Sequence, residues 1–359
     1  MTDTNEPFFR FLHDAAAMQE QGRAALSALR DIGDVEVGRS DRQLVYSENK
    51  VKLYRYAPLA RSLGLPPLLI CYAMVNRPYM LDLQPDRSLI RELLFLGLDV
   101  YLVDWGYPDG ADRFIPLERY VCGYLDRCVN AVLNKHSVDA LNLLGICQGG
   151  TFSLCYAALE PHRIANLITM VTPVDFKSPE NLLSKWVQHI DVDLLTQSGN
   201  VSGELLNLLF LALMPFRLTQ QKYVNLLQVQ SDRAQLENFM RMEKWIFDSP
   251  DQPAMAFREF VQWFFKENRL LRGDLSLNSR AALLKNIECP IFNIYAKNDH
   301  LVPPSASIPL GAHVGSEVYE ALAVDVGHIG MYVSGKARST VPPAIAAWLR
   351  ARTAAQSKR

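Results

Sequence analysis

The residue with the clearest chemical potential is Cys147, in Leu143-Leu144-Gly145-Ile146-Cys147-Gln148-Gly149-Gly150. An apolar strand-like run enters a G-x-C-x-G turn, and a helical pattern, Thr151 to Leu159, leaves it. A strand-to-helix turn this sharp needs glycines beside the nucleophile, because side chains there would clash. The turn lifts the thiol to the sheet edge at a helix N-terminus, where the helix dipole favours a thiolate. Taken alone, the pentapeptide could be a glycine-rich turn that happens to hold a cysteine. A nucleophilic reading therefore requires a base and an acid elsewhere in the chain.

With cysteine in place of serine, the turn resembles the nucleophile elbow of α/β hydrolases, in which an acid and then a histidine follow the nucleophile in chain order. Asp299 lies in Ala296-Lys297-Asn298-Asp299-His300-Leu301, directly after the apolar run 290–295, where the acid is expected. His328 lies in Gly327-His328-Ile329-Gly330, one strand later, with glycines that let the loop hold the imidazole over the sheet edge. Asp325 is a rival acid, but it sits on the histidine's own loop, so Asp299 is preferred. Of the seven histidines, His13, His136, His162, His189 and His313 lack such context and read as surface or structural groups. His300 is left open between orienting the acid loop, contacting substrate and a structural role. An oxyanion hole would draw one backbone N–H from Gln148 and one from the loop 73–77, with Val75 the candidate. No His/Cys cluster has metal-ligand spacing, and no G-x-G-x-x-G or Walker-type loop is present. No cofactor is expected.

These groups need a scaffold. Near-continuous apolar runs at 67–72, 99–103, 140–144, 167–171 and 290–295 read as buried strands, and helical patterns such as Ser88 to Leu96 separate them. That alternation predicts a mostly parallel sheet covered on both faces, the α/β-hydrolase class. The stretch 176–285 breaks the rhythm with helical spacing and Trp186, Trp245 and Trp263, and reads as a helical cap inserted into the core. The predicted organisation is an N-terminal helical segment 1–40, core 41–175, cap 176–285 and core 286–359. Apolar spacing over 8–31 suggests an amphipathic helix, either packed on the body or contacting a partner or granule. A final helix is predicted over 342–349, with proline in its first turn.

The 359 residues are 49% hydrophobic and 21% charged, which suits a globular enzyme. Lys+Arg (37) nearly balances Asp+Glu (38), which argues against a nucleic-acid partner. The start is polar and acidic, and the longest apolar stretch, Leu205 to Phe216, is shorter than the roughly 20 residues a membrane helix needs. A cytosolic protein is expected. The six cysteines form no C-x-x-C pair, so all but Cys147 read as buried thiols.

A cysteine nucleophile narrows the reaction. Acyl transfer from a CoA thioester to a thiol exchanges one thioester for another, and onward transfer to an alcohol runs downhill. A thioesterase or depolymerase would favour serine at the elbow. A catalytically silent granule-binding protein would have no need of all three triad candidates.

The chain resembles the catalytic subunit of class III poly(3-hydroxyalkanoate) synthases along nearly its whole length. The resemblance rests on Val75-Asn76-Arg77-Pro78-Tyr79-Met80, Val103-Asp104-Trp105-Gly106-Tyr107-Pro108-Asp109 and the elbow itself. It extends to Met170-Val171-Thr172-Pro173-Val174-Asp175-Phe176, Met242-Glu243-Lys244-Trp245-Ile246-Phe247-Asp248-Ser249-Pro250 and Gly327-His328-Ile329-Gly330. It implies a Cys147–Asp299–His328 triad, (R)-3-hydroxybutyryl-CoA as typical substrate and release of CoA as a polyester grows. It further implies a second subunit, a homodimer of the catalytic subunit, residence on cytoplasmic polyester granules, and a cap that covers the site and moves.

Overall fold

The computed structural model describes residues 27–213 and 232–356. Its centre is an eight-stranded sheet of β1 (Arg42–Glu48), β2 (Val51–Tyr56), β3 (Leu68–Cys71), β4 (Val100–Asp104), β5 (Leu141–Ile146), β6 (Ile164–Met170), β7 (Ile291–Ala296) and β8 (Tyr319–Val324). The spatial order is β1-β2-β4-β3-β5-β6-β7-β8. Only β2 runs against its neighbours β1 and β4; the pairs from β4 to β8 are all parallel.

Every residue of β3, β4 and β5 is buried. Alternate side chains serve opposite faces. Leu69, Cys71, Tyr101, Val103 and Leu143 pack on one side with helices α2 (Asp126–His136) and α3 (Gln148–Leu159). Leu68, Ile70, Leu102, Leu144 and Ile146 pack on the other side with the C-terminal helix Gly335–Gln356 and with α1 (Leu89–Phe95). Layers on both faces explain why these strands read as unbroken apolar runs. The outer strands β1 and β8 are partly exposed and carry no such run.

The helix expected over Ser88 to Leu96 spans Leu89–Phe95, and the Ser88 side chain caps it by accepting from Arg91 N–H at 3.0 Å. The final helix departs from expectation, for it begins at Gly335 and holds Pro342 and Pro343 in its interior. Ser334 Oγ accepts from Ala337 N–H at 3.1 Å, and buried Ala337 and Val341 anchor the turns before the prolines. Packing thus extends the helix past residues that favour a first turn. Residues 27–32 are helical; the rest of the segment expected as a helix over 8–31 lies outside the described residues.

Between β6 and β7 the chain forms α4 (Leu182–Gln188), α5 (Val192–Thr196), α6 (Gly203–Leu213), α7 (Arg233–Phe247) and α8 (Ala254–Phe260). A wide π-type turn, Val261–Lys266, follows. The end of the stretch read as helical is not wholly so, because Ser276–Leu277 and Arg280–Ala281 pair as a small antiparallel hairpin. Leu275, Leu277, Ala282 and Leu284 join the core against α3, so this segment packs with the sheet layer. Among the described residues, no helix is long and apolar enough to cross a membrane.

A short stretch, Trp245 to Gln252, binds the cap to the loops after β3 and β4. Trp245 Nε1 donates to Arg77 O at 2.8 Å, and Asn76 Nδ2 donates to Ser249 Oγ at 2.5 Å. The Tyr79 and Tyr107 hydroxyls donate to the two oxygens of Asp248, at 3.0 and 2.7 Å. Gln252 Nε2 donates to Met74 O at 3.1 Å. Arg77 organises the core side. It donates to Asp104 Oδ2 and to Gly106 O, both at 2.8 Å, and its guanidinium lies over the Tyr107 ring. Asp104 is only 5% exposed. Arg77→Met would leave that carboxylate with the Gly106 N–H as its remaining donor. The expected cost is about 3 kcal/mol of unfolding free energy, read as a lower urea midpoint.

Candidate active site

The strand β5 ends at Ile146 and α3 begins at Gln148, which leaves Cys147 alone to reverse the chain. It does so at φ 54° and ψ −125°, a conformation costly for a side-chain-bearing residue. The surroundings hold it there. Cys147 N–H donates to Met170 O of β6 at 2.9 Å, and Cys147 O accepts from Gly150 N–H at 2.9 Å. A Cβ at Gly149 would come within 2.2 Å of Cys71 O and 2.5 Å of Tyr72 O. Only glycine lets α3 approach β3 this closely.

His328 follows β8 and is 5% exposed. Its Nδ1–H donates to Asp299 Oδ2 at 2.7 Å. The other Asp299 oxygen accepts from the backbone N–H groups of Leu301 and Val302, both at 2.9 Å. The carboxylate is thereby oriented by its own loop before it meets the imidazole. Asp325 points elsewhere, accepting from Asn298 Nδ2 at 2.9 Å and pairing with Lys336 Nζ at 2.6 Å. The Cys147 thiol is close enough to His328 to raise the ring's proton affinity. Thiol, imidazole and carboxylate therefore stand in series.

Burial works against a proton on His328, but the charge and hydrogen bond of Asp299, aided by Cys147, outweigh it. The ring's pKa is raised from 6.5 to about 10. The arrangement favours an imidazolium that can deliver a proton. The other thiols are unsuited to nucleophilic work. Burial pushes Cys71 and Cys289 up to about 12 and Cys122 up to about 11, and Cys128 and Cys155 higher still.

Cys147, Gln148, Val75, His300 and His328 all line one cavity of about 770 Å³ under the cap. The backbone N–H groups of Val75 and Gln148 carry no hydrogen bond to any described residue. His300 lies on the cavity wall; the Asp299 carboxylate takes its donors from Leu301, Val302 and His328.

Three groups at the site were not anticipated. The Tyr332 hydroxyl lies 3.2 Å from His328 Nε2, and the Tyr72 ring meets the Tyr332 ring edge-on at 6.2 Å. Burial first, then the nearby Tyr72, Cys147 and Asp299, holds the Tyr332 hydroxyl protonated far above its ordinary range. Its i,i+4 spacing from His328 was the available signal. The third group is the Gln148 side chain, whose Oε1 accepts from Met74 N–H at 3.0 Å and ties the elbow to the loop after β3. Only the fold shows that contact. Among the described residues, no group of three or more His, Cys, Asp or Glu side chains could hold a metal ion.

Comparison with known proteins agrees with this architecture. Residues 66–334 match the family model of the alpha/beta hydrolase fold, and residues 11–93 match that of the poly-beta-hydroxybutyrate polymerase N-terminus. The chain is 55% identical to a poly(3-hydroxyalkanoate) polymerase subunit of Allochromatium vinosum, over 89% of this chain and 90% of that one. It is 46% identical to the subunit of the same name from Synechocystis, over 95% and 93%. It is 26% identical to poly(3-hydroxyalkanoate) polymerase 1 of Ectopseudomonas oleovorans, over 82% of this chain but only 53% of that longer one. On these grounds, and on a buried polar relay beside a cysteine elbow, the chain belongs to the poly(3-hydroxyalkanoate) polymerase family of acyl-transferring enzymes on the α/β-hydrolase fold.

Proposed function

We propose that the polymerisation proceeds through a thioester on Cys147, with His328 as acid–base and Asp299 as its orienting partner. The observation that carries this reading is the strained Cys147 turn beside an imidazole whose Nδ1 is bound to a buried carboxylate. In the first step the thiol proton passes to His328 and the sulfur attacks the carbonyl of an (R)-3-hydroxyacyl-CoA, chiefly 3-hydroxybutyryl. The negative oxygen forms against the Gln148 and Val75 N–H groups. When the bond to the CoA sulfur breaks, the imidazolium gives its proton to the departing thiolate. In the second step the hydroxyl end of a growing polyester gives its proton to His328 and attacks the Cys147 thioester. An ester forms and the thiol is restored. The thioester itself supplies the activated acyl group, so the cycle needs no cofactor.

The cavity's apolar lining, with Phe176, Phe257, Phe260 and Phe265, supports transfer to a polyester chain over transfer to water. Assignment to class III is supported by the near-complete match to short relatives named as subunits. That class implies a second subunit, a homodimer and work at the surface of cytoplasmic granules. Exposed Leu194, Leu208 and Phe247 on the cap are compatible with such apolar contacts.

Thiol release from (R)-3-hydroxybutyryl-CoA, with the second subunit supplied and products sized, tests the scheme. CoA and high-mass polyester are expected from the wild type, and neither from Cys147→Ala. CoA with free 3-hydroxybutyrate alone would sink it. Asp299→Asn should lower kcat by roughly 10³- to 10⁴-fold, as expected where a carboxylate holds the working tautomer. A second prediction concerns stability. The folded-state pKa of His328 lies above its ordinary 6.5, so the protonated ring stabilises the fold fully below about pH 6.5. That contribution falls as pH rises toward about 10. The stability gap between wild type and Asp299→Asn, measured by urea unfolding, should therefore shrink across this window; a gap that grows with pH would refute the assigned ion pair.

A further inference from the structure

The cavity that reaches Cys147 is apolar along most of its cap side, but one wall differs. Where α7 faces the turn of residues 82–88, the lining includes the polar side chains Arg87, Gln235, Asn238 and Glu243 beside the apolar Phe239 and Met242. The two elements are tied together by Arg241 Nη1, which donates to Gln84 Oε1 at 3.0 Å. Arg87 and Ser88 also pack against Gly330–Val333, the short helix that carries Tyr332. This polar wall therefore adjoins the His328 loop.

Arg87 is half-buried, and its guanidinium forms no hydrogen bond or ion pair with any described residue. The neighbouring cations are already committed. Arg241 donates to Glu36 O and Gln84 and pairs with Glu237, while Arg338 donates to Asp86 O and reaches Glu92. Glu243 is engaged in a contact of its own. Among the described lining residues, Arg87 is the one lysine or arginine. The unpaired guanidinium is not sealed from solvent, so a ligand in the cavity can reach it, and its planar fork suits phosphate oxygens. On the same wall, Asn238 Oδ1 is buried with no hydrogen-bond partner.

We propose that this wall binds the non-reacting part of the acyl donor, with Arg87 holding a phosphate of CoA and Asn238 accepting from an amide N–H of its pantetheine arm. The site rests on the reading above that the donor is a CoA thioester. It assigns an unpaired guanidinium and an unsatisfied amide oxygen to the two chemistries, anionic and amide, that such a donor carries beyond its thioester.

Titration calorimetry of the full chain with CoA and with pantetheine, which lacks the phosphates, tests the site. Arg87→Ala should weaken CoA about tenfold, and Arg87→Lys by less, since an ammonium keeps the charge but not the fork. Pantetheine affinity should be the same in wild type and both variants. Asn238→Leu should weaken CoA and pantetheine by equal factors. Equal losses of CoA and pantetheine in Arg87→Ala, or no loss of either, would overturn the phosphate anchor; an unchanged Asn238→Leu would overturn the amide contact. In both cases, CoA binding and thiol release by the wild type leave the proposed reaction standing. A wild type that neither binds CoA nor releases it overturns that reaction and the anchor together.

Discussion

The close approach of α3 to β3 at Gly149 is the constraint on which the rest of the site depends. Two main-chain carbonyls, of Cys71 and Tyr72, occupy the space where any side chain would begin. With that space closed, the helix can start directly behind the strand and Cys147 has to take a positive φ. The strain is local and is offset by hydrogen bonds on both sides, from Cys147 N–H to β6 and from Gly150 N–H back to Cys147 O. The thiol thus stands clear of the sheet edge because the backbone beneath it has no other route.

The proposed acid–base half of the site is built from loops, yet its geometry is no less determined. Asp299 is held by two backbone N–H groups of its own turn, so it presents the remaining oxygen to His328 without needing a further partner. Both groups are buried, which strengthens their mutual attraction and keeps water from competing for it. Tyr332 closes the far side of the ring, and its burial keeps the hydroxyl protonated.

The cap is joined to this machinery by the same loops that shape it. Asn76, Arg77 and Tyr79 stand just after the proposed oxyanion donor Val75, and each meets the stretch Trp245 to Ser249. Met74 is held twice, its N–H by Gln148 of the elbow and its carbonyl by Gln252 of the cap. A displacement of the cap at this point would be felt at the oxyanion loop, through hydrogen bonds that tolerate little stretching. Three separated sequence motifs, around Asn76, Asp104 and Asp248, turn out to be one joint.

Much of this was legible in the sequence because it is local. Unbroken apolar runs betrayed the central strands, and G-x-C-x-G between a strand and a helix betrayed the elbow. Chain order then pointed to Asp299 and His328. The strands β1 and β2 were missed and β8 was inferred only from chain order, because exposed residues interrupt the apolar signal in all three. The C-terminal helix was placed too late because tertiary packing of Ala337 and Val341 outweighs the preference of proline for a first turn. The sequence by itself determined the fold class and singled out Cys147, Asp299 and His328 as candidates in their chain order, all of which depend on residue type and short-range spacing. Only the tertiary structure decided that Asp325 turns to Lys336 while Asp299 turns to His328, that Tyr332 stands against the imidazole, and that Gln148 and Gln252 grip Met74 from two sides. Those contacts join residues brought together by loop paths, whose geometry is set by what they pack against and leaves no periodic trace along the chain.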